Sequence, residues 1–121
     1  MITGFLRKRC SAFRVAIPGL GYMVRNEPHA RIHLTAIILV VIAGVLTGID
    51  RMEWALLVLA IGFVLAFEAV NSALEALADA VHPGRHPLVG AAKDMAAGAV
   101  LVSAVCSVII AGLVFLPHWC R

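Results

Sequence analysis

Residues 54–79 read WALLVLAIGFVLAFEAVNSALEALAD: fourteen residues without a charge, then three carboxylates and an asparagine within the next twelve. An apolar run of that length that continues into further helix-forming residues reads as a helix crossing a bilayer. Taking Glu68 as origin at about 100° per residue, Asn71 lies near 300°, Ser72 near 40°, Glu75 near 340° and Asp79 near 20°. All five therefore share one helix face. At roughly 1.5 Å per residue the row is about 16 Å long, running from hydrocarbon toward water.

Outward from this span the rest of the 121-residue chain has the same character, with 62% hydrophobic and 14% charged residues. That composition excludes an ordinary soluble domain. Two further apolar runs, IHLTAIILVVIAGVLT from residue 32 and AAGAVLVSAVCSVIIAGLVFL from residue 96, bring the number of spans to three. Helices are the only option, because an open sheet edge is not tolerated in lipid and three segments cannot close a barrel. The expectation is an all-α membrane protein forming one domain over residues 1–121. Residues 1–28 are read as a surface segment, and 32–48, 54–79 and 93–116 as membrane helices.

Arg7, Lys8, Arg9, Arg14, Arg25 and Arg31 precede the first span, Arg85 and Lys93 lie between the second and third, and only Arg51 and Arg121 fall elsewhere. The positive-inside bias puts the N-terminus and the 80–95 connection in the cytoplasm and the C-terminus outside, with Trp54 and Trp119 at the outer interface. In residues 3–17, Phe5, Leu6, Phe13, Ala16 and Ile17 alternate with Arg7, Arg9 and Arg14 at helical spacing, which predicts an amphipathic helix on the cytoplasmic membrane surface. Pro18-Gly19 is expected to end or kink it, Pro28 to open the next helix, and PGRHP at 83–87 to form a turn. The broken, basic opening gives no cleavable signal-peptide pattern. Cys10, Cys106 and Cys120 lack metal-ligand spacing and read as free thiols.

An acid at the depth of Glu68 costs roughly 2.5–3.5 kcal/mol on insertion scales, so its default reading is functional. A polar packing stripe is the alternative for Asn71 and Ser72, with Ala69, Ala73 and Ala76 permitting close helix approach. A row of acids can carry protons or cations, as in a small proton-coupled transporter, or it can hold a hard divalent cation. Glu27 before the first span can supply a second carboxylate beside Glu75, and Lys93-Asp94 adds a cation suited to phosphate oxygens. Carboxylates with basic residues at a membrane surface suit a magnesium-bound nucleotide. No GxxxxGK[ST] motif occurs, so phosphates must be met by side chains and metal. His29 and His33, spaced i, i+4, could bind a metal but are read as capping or packing residues, since no third ligand is evident. His82, His86 and His118 read as interfacial side chains, and Met23, Met52 and Met95 as packing residues.

The combination EAVNSALEALAD and, after a short loop, HPLVGAAKDMAAGAVLV resembles the prokaryotic diacylglycerol kinase family, whose signature is E-x-x-N-[ST]-x-x-E-x-x-x-D followed by an A-K-D run. NEPHARIH at 26–33, Glu53-Trp54 and the three-span layout fit as well. The resemblance implies a homotrimeric kinase of the bacterial inner membrane that moves the γ-phosphoryl of ATP onto a lipid hydroxyl with Mg2+, its sites shared between subunits and no nucleic acid involved. HPL before AAKD, AAGAV after it and EPHARIH look like the undecaprenol kinase branch, with diacylglycerol as the alternative substrate. Carried over position by position, Glu68 is the general base and, with Ala97, touches the lipid substrate. Glu27 and Glu75 hold magnesium, Asn71, Asp79, Lys93 and Asp94 serve the nucleotide, and Gly84, Arg85 and His86 form a hinge loop against it. Lys8 or Arg9 stands in for a basic nucleotide contact.

Overall fold

The computed structural model describes residues 1–121 as four α-helices with no strand: α1 (Ile2–Asn26), α2 (Pro28–Thr47), α3 (Arg51–Val81) and α4 (Pro87–Trp119). Helices α2, α3 and α4 are each long and apolar enough to cross a membrane. Helices α3 and α4 run past both limits of their apolar runs and α2 past its N-terminal one, because the polar flanks remain good helix formers and the caps lie further out. Pro28 and Pro87 occupy first-turn positions, where a missing N–H costs nothing.

The α2–α3 corner is short because its backbone groups are satisfied locally. Gly48 closes α2 with φ 73°, and its N–H reaches the Gly44 carbonyl at 3.0 Å. Two residues on, Asp50 opens α3 with a reciprocal cap: its Oδ1 accepts from the Glu53 N–H and Glu53 Oε2 accepts from the Asp50 N–H, both at 2.9 Å. The fold's small core sits at this end, where Ile49, Leu57, Val114 and Phe115 pack with Val40, Ala43, Trp54, Ile110 and Ala111. Gly44 is required there, since a Cβ at that position would lie 2.7 Å from the Trp54 ring. Trp119 Nε1 donates to Thr47 Oγ1 at 3.0 Å and His118 meets Glu53 at 3.1 Å, tying the end of α4 to both neighbours.

At the opposite end, residues 82–86 turn α3 into α4, and Lys93 Nζ meets Asp79 Oδ1 at 3.0 Å. Pairings at both ends fix α3 and α4 as an antiparallel hairpin, and theirs is the most extensive helix contact in the chain. With its 31 residues, α3 is roughly 46 Å long against a hydrocarbon layer of about 30 Å. Counting from Trp54 at 1.5 Å per residue, Glu68 lies roughly 21 Å along the axis, Glu75 roughly 32 Å and Asp79 roughly 38 Å. Glu68 thus falls inside a layer of that thickness and Asp79 beyond it.

Of the two outcomes expected at Pro18-Gly19, an end or a kink, the end does not occur: helix α1 runs through both residues. A proline there removes one ladder hydrogen bond and crowds the preceding turn, at about 3 kcal/mol, but about two further turns follow up to Asn26. The C-terminal end of α1 is anchored. Met23 is buried, and the Arg31 guanidinium on α2 donates to the Val24 carbonyl at 3.0 Å and to the Arg25 carbonyl, closing the last turn of α1 with a cation. The rest of α1 stands open, exposing Phe5, Leu6, Phe13, Val15, Ile17 and Leu20. Met52 and Met95, read as packing residues, are 71% exposed in the single chain. All three cysteines are free and exposed.

Candidate active site

The polar face of α3 is where the chain keeps a carboxylate out of water. Glu68 is 2% exposed. Its Oε2 has no hydrogen-bond partner, and neither have the buried Asn71 Oδ1 and Ser72 Oγ beside it on the same face. Three unsatisfied polar atoms in one patch are costly, and such a cost is retained where a ligand completes the bonding. The polar group that approaches Glu68 is His33 on α2, whose Nε2 lies 3.5 Å from Oε2.

Two cavities meet at this point. One, of about 280 Å3, is lined by His29, His33, Glu68, Asn71, Ala97, Val100, Leu101 and Ala104. The other, of about 250 Å3, lies deeper between α2, α3 and α4 and is almost wholly apolar, with Ile37, Val40, Leu57, Val64 and Val108 in its wall. His33 and Ala104 line both, so the carboxylate opens toward a greasy slot. Ser107, also in that slot, has its hydroxyl engaged with the Ser103 carbonyl at 2.8 Å and leaves the lining apolar.

A third space of about 500 Å3 surrounds the 82–86 turn and is bounded by Asp79, His82, Gly84, Arg85, His86 and Lys93. Its shape follows from local bonds. His86 Nδ1 caps α4 by accepting the Leu88 N–H at 3.1 Å, His82 Nδ1 lies 3.0 Å from the Gly84 carbonyl, and the two imidazoles meet edge to face. The Lys93–Asp79 pair forms one wall. Arg85, Lys93 and the imidazoles of His82 and His86 around an open pocket suit a polyanion.

The residues singled out in the sequence therefore fall into separate groups. Glu68, Asn71 and Ala97 share the first cavity, and Asp79, Gly84, Arg85, His86 and Lys93 share the turn pocket. Glu27, the extended residue between α1 and α2, stands two residues before His29, and Glu75 lies one turn beyond Asn71. Neither lines the cavity, and Asp94 beside Lys93 does not line it either. No three His, Cys, Asp or Glu side chains converge in the single chain. Hard carboxylate oxygens in ones and twos nevertheless suit magnesium, which keeps several waters and completes its shell with substrate phosphates. Lys8 and Arg9 lie on the open part of α1, where the Arg9 guanidinium covers the Phe5 ring at 4.9 Å.

Two contacts escaped the sequence. His33 reads as a capping or packing residue in the sequence, whereas its ring approaches Glu68 from α2 and lines the cavity with His29. The Glu53–His118 pair spans 65 residues and only the hairpin brings it together.

Comparison with known proteins bears on this arrangement. The sequence model of the prokaryotic diacylglycerol kinase family matches residues 14–115. The chain is 41% identical to the undecaprenol kinase of Bacillus subtilis (strain 168), over 82% of this chain and 80% of that protein. It is 36% identical to the diacylglycerol kinase of Synechocystis sp. over 88% of this chain, which spans 61% of that longer relative. It is 32% identical to the diacylglycerol kinase of Escherichia coli (strain K12), over 78% of this chain and 77% of that protein.

Proposed function

The chain belongs to the prokaryotic diacylglycerol kinase family and is an integral-membrane lipid kinase, and from that premise we propose that it phosphorylates undecaprenol with ATP and Mg2+. The observation that carries the reading is Glu68, a buried carboxylate in a cavity that shares His33 and Ala104 with an apolar slot. A lipid alcohol satisfies both halves of that arrangement: its chain lies in the slot and its hydroxyl reaches the carboxylate. The preference for undecaprenol over diacylglycerol rests on the higher identity to the Bacillus subtilis enzyme than to the diacylglycerol kinases.

In the reaction Glu68 takes the hydroxyl proton as the lipid oxygen bonds to the γ-phosphorus and ADP departs. A buried carboxylate within reach of a hydroxyl whose hydrocarbon stays in lipid is placed for this proton transfer. Asn71, one turn along, directs its amide into the same cavity and orients what lies there. The triphosphate lies in the turn pocket against Gly84, Arg85 and His86, with Asp79, Lys93 and Asp94 at its rim. Lys93 exchanges its Asp79 partner for phosphate oxygens and stabilises charge that builds during transfer. Glu27 and Glu75 would hold magnesium, which supplies charge neutralisation at the phosphates. Lys8 or Arg9 on α1 adds a cation at the nucleotide.

The same reading places α1 as an amphipathic helix on the cytoplasmic face of the inner membrane, N-terminus inside and C-terminus outside. Its exposed Phe5, Leu6 and Phe13 enter the headgroup layer while Arg7, Lys8 and Arg14 meet anionic lipid. It also makes the active unit a homotrimer. No three His, Cys, Asp or Glu side chains converge in one chain, and a neighbouring subunit adds its own carboxylates to the set. The test is transfer of radiolabelled phosphate from ATP in mixed micelles with undecaprenol or diacylglycerol. Labelled undecaprenyl phosphate as the main product is expected, a diacylglycerol preference reverses the substrate assignment, and no labelled lipid from either overturns the reading.

A further inference from the structure

His33 has no place in the transfer described above, yet it is the residue that joins the reactive carboxylate to the apolar slot. It lies on α2, one turn after His29, with its Nε2 3.5 Å from Glu68 Oε2 and its side chain about three-quarters buried. That separation is slightly beyond a charge-assisted N–H···O bond, whose usual length is about 2.7–2.9 Å, so closing it takes a side-chain shift of well under 1 Å. Catalytic hydrogen bonds are commonly long before substrate binds and shorten afterwards. Oε2 has no other partner in the chain.

We propose that His33 is a positioning residue for phosphoryl transfer: its Nε2–H holds Oε2 of Glu68 so that Oε1 faces the lipid hydroxyl. The inference rests on Glu68 acting as the base. In the step, the lipid hydroxyl proton passes to Oε1, the lipid oxygen–phosphorus bond forms, and the bond between the γ-phosphorus and the ADP oxygen breaks. His33 keeps its proton throughout. Without that donor a carboxylate with both oxygens free rotates about its terminal torsion, and only part of the population presents a basic oxygen to the hydroxyl. Because His33 also lines the deeper slot, the ring that orients the base bounds the path of the lipid chain.

A packing role makes a different prediction, since packing depends on volume and the donor does not matter. Five variants separate the two: His33→Ala, His33→Phe, His33→Gln, Glu68→Gln and the double variant Glu68→Gln/His33→Ala, each purified in detergent and compared by circular dichroism. Loss of a hydrogen bond to a charged group predicts that His33→Ala and His33→Phe lower kcat about 10- to 100-fold. KM for MgATP stays within about twofold, because the lost interaction belongs to the transfer step. His33→Gln, which puts an amide N–H near the position of Nε2, recovers most of the loss. The double variant turns over no more slowly than Glu68→Gln alone, since His33 acts only through that carboxylate. If His33→Ala fails to fold, the better volume matches His33→Gln and His33→Phe carry the comparison. Full turnover in His33→Phe, or a double variant slowed by the full His33→Ala factor below Glu68→Gln, overturns the proposal. Absence of labelled lipid from the unsubstituted chain is a separate result and counts against the kinase reading itself.

Discussion

The end of the bundle bearing the 48–50 turn depends on Glu53 in two ways, and removing its side chain separates them. Glu53 Oε2 accepts the Asp50 N–H at 2.9 Å, completing the N-terminal cap of α3, and the same carboxylate meets His118 Nε2 at 3.1 Å near the end of α4. Its side chain is 23% exposed and that of His118 25%. A capping interaction contributes about 1 kcal/mol, and a partly screened hydrogen bond of this kind about 0.5–1 kcal/mol. Glu53→Ala is therefore expected to lower stability by about 1.5–2 kcal/mol and His118→Ala by about 0.5–1 kcal/mol, with the double variant close to Glu53→Ala. The assay is reversible unfolding in mixed detergent micelles with increasing dodecyl sulfate, followed by helical circular dichroism. Equal losses for the two single variants would refute the dual role of Glu53, and strictly additive losses would refute the Glu53–His118 hydrogen bond.

Three other expectations concern Gly44, Glu75 and the Lys93–Asp79 pair. Gly44→Ala places a methyl 2.7 Å from the Trp54 ring and 3.2 Å from Ile49, and overpacking less the helix-propensity gain gives a loss of about 1–2 kcal/mol in the same unfolding assay, with a shift in indole fluorescence. Glu75→Gln raises the Mg2+ concentration needed for half-maximal transfer with less effect on the rate at saturation, as measured by a magnesium titration of the labelled-ATP assay. Lys93→Ala raises KM for MgATP and lowers kcat, whereas Asp79→Asn, which frees Lys93 from its 3.0 Å partner, leaves ATP binding the stronger of the two in a nucleotide titration.

The membrane helices are legible because their signal is redundant. Apolar runs, Trp54 and Trp119 at their ends, and prolines and glycines between them all point to the same three spans. The polar face of α3 is equally legible, since helical spacing alone aligns Glu68, Asn71, Glu75 and Asp79. Helix α1 is less so: Pro18 carries a local stop signal, but the anchoring of Met23 and Arg31 that favours continuation comes from a neighbouring helix. What local pattern cannot give is pairing between helices. Lys93 and Asp79 each read as a nucleotide contact, and only the turn at 82–86 shows that they hold one another. His33 read as a capping or packing residue because its partner, Glu68, lies 35 positions away on another helix.

Glu68→Gln tests the central claim most directly. The substitution keeps the shape of a side chain that is 2% exposed and removes an acid whose oxygen has no hydrogen-bond partner, so the folded protein is expected to be no less stable. Loss of a general base lowers turnover by about 100- to 10,000-fold. Single-turnover transfer of the ATP γ-phosphoryl to micellar undecaprenol should fall by that factor while the dissociation constant for MgATP barely moves. Retention of full turnover in a folded Glu68→Gln protein would contradict the account.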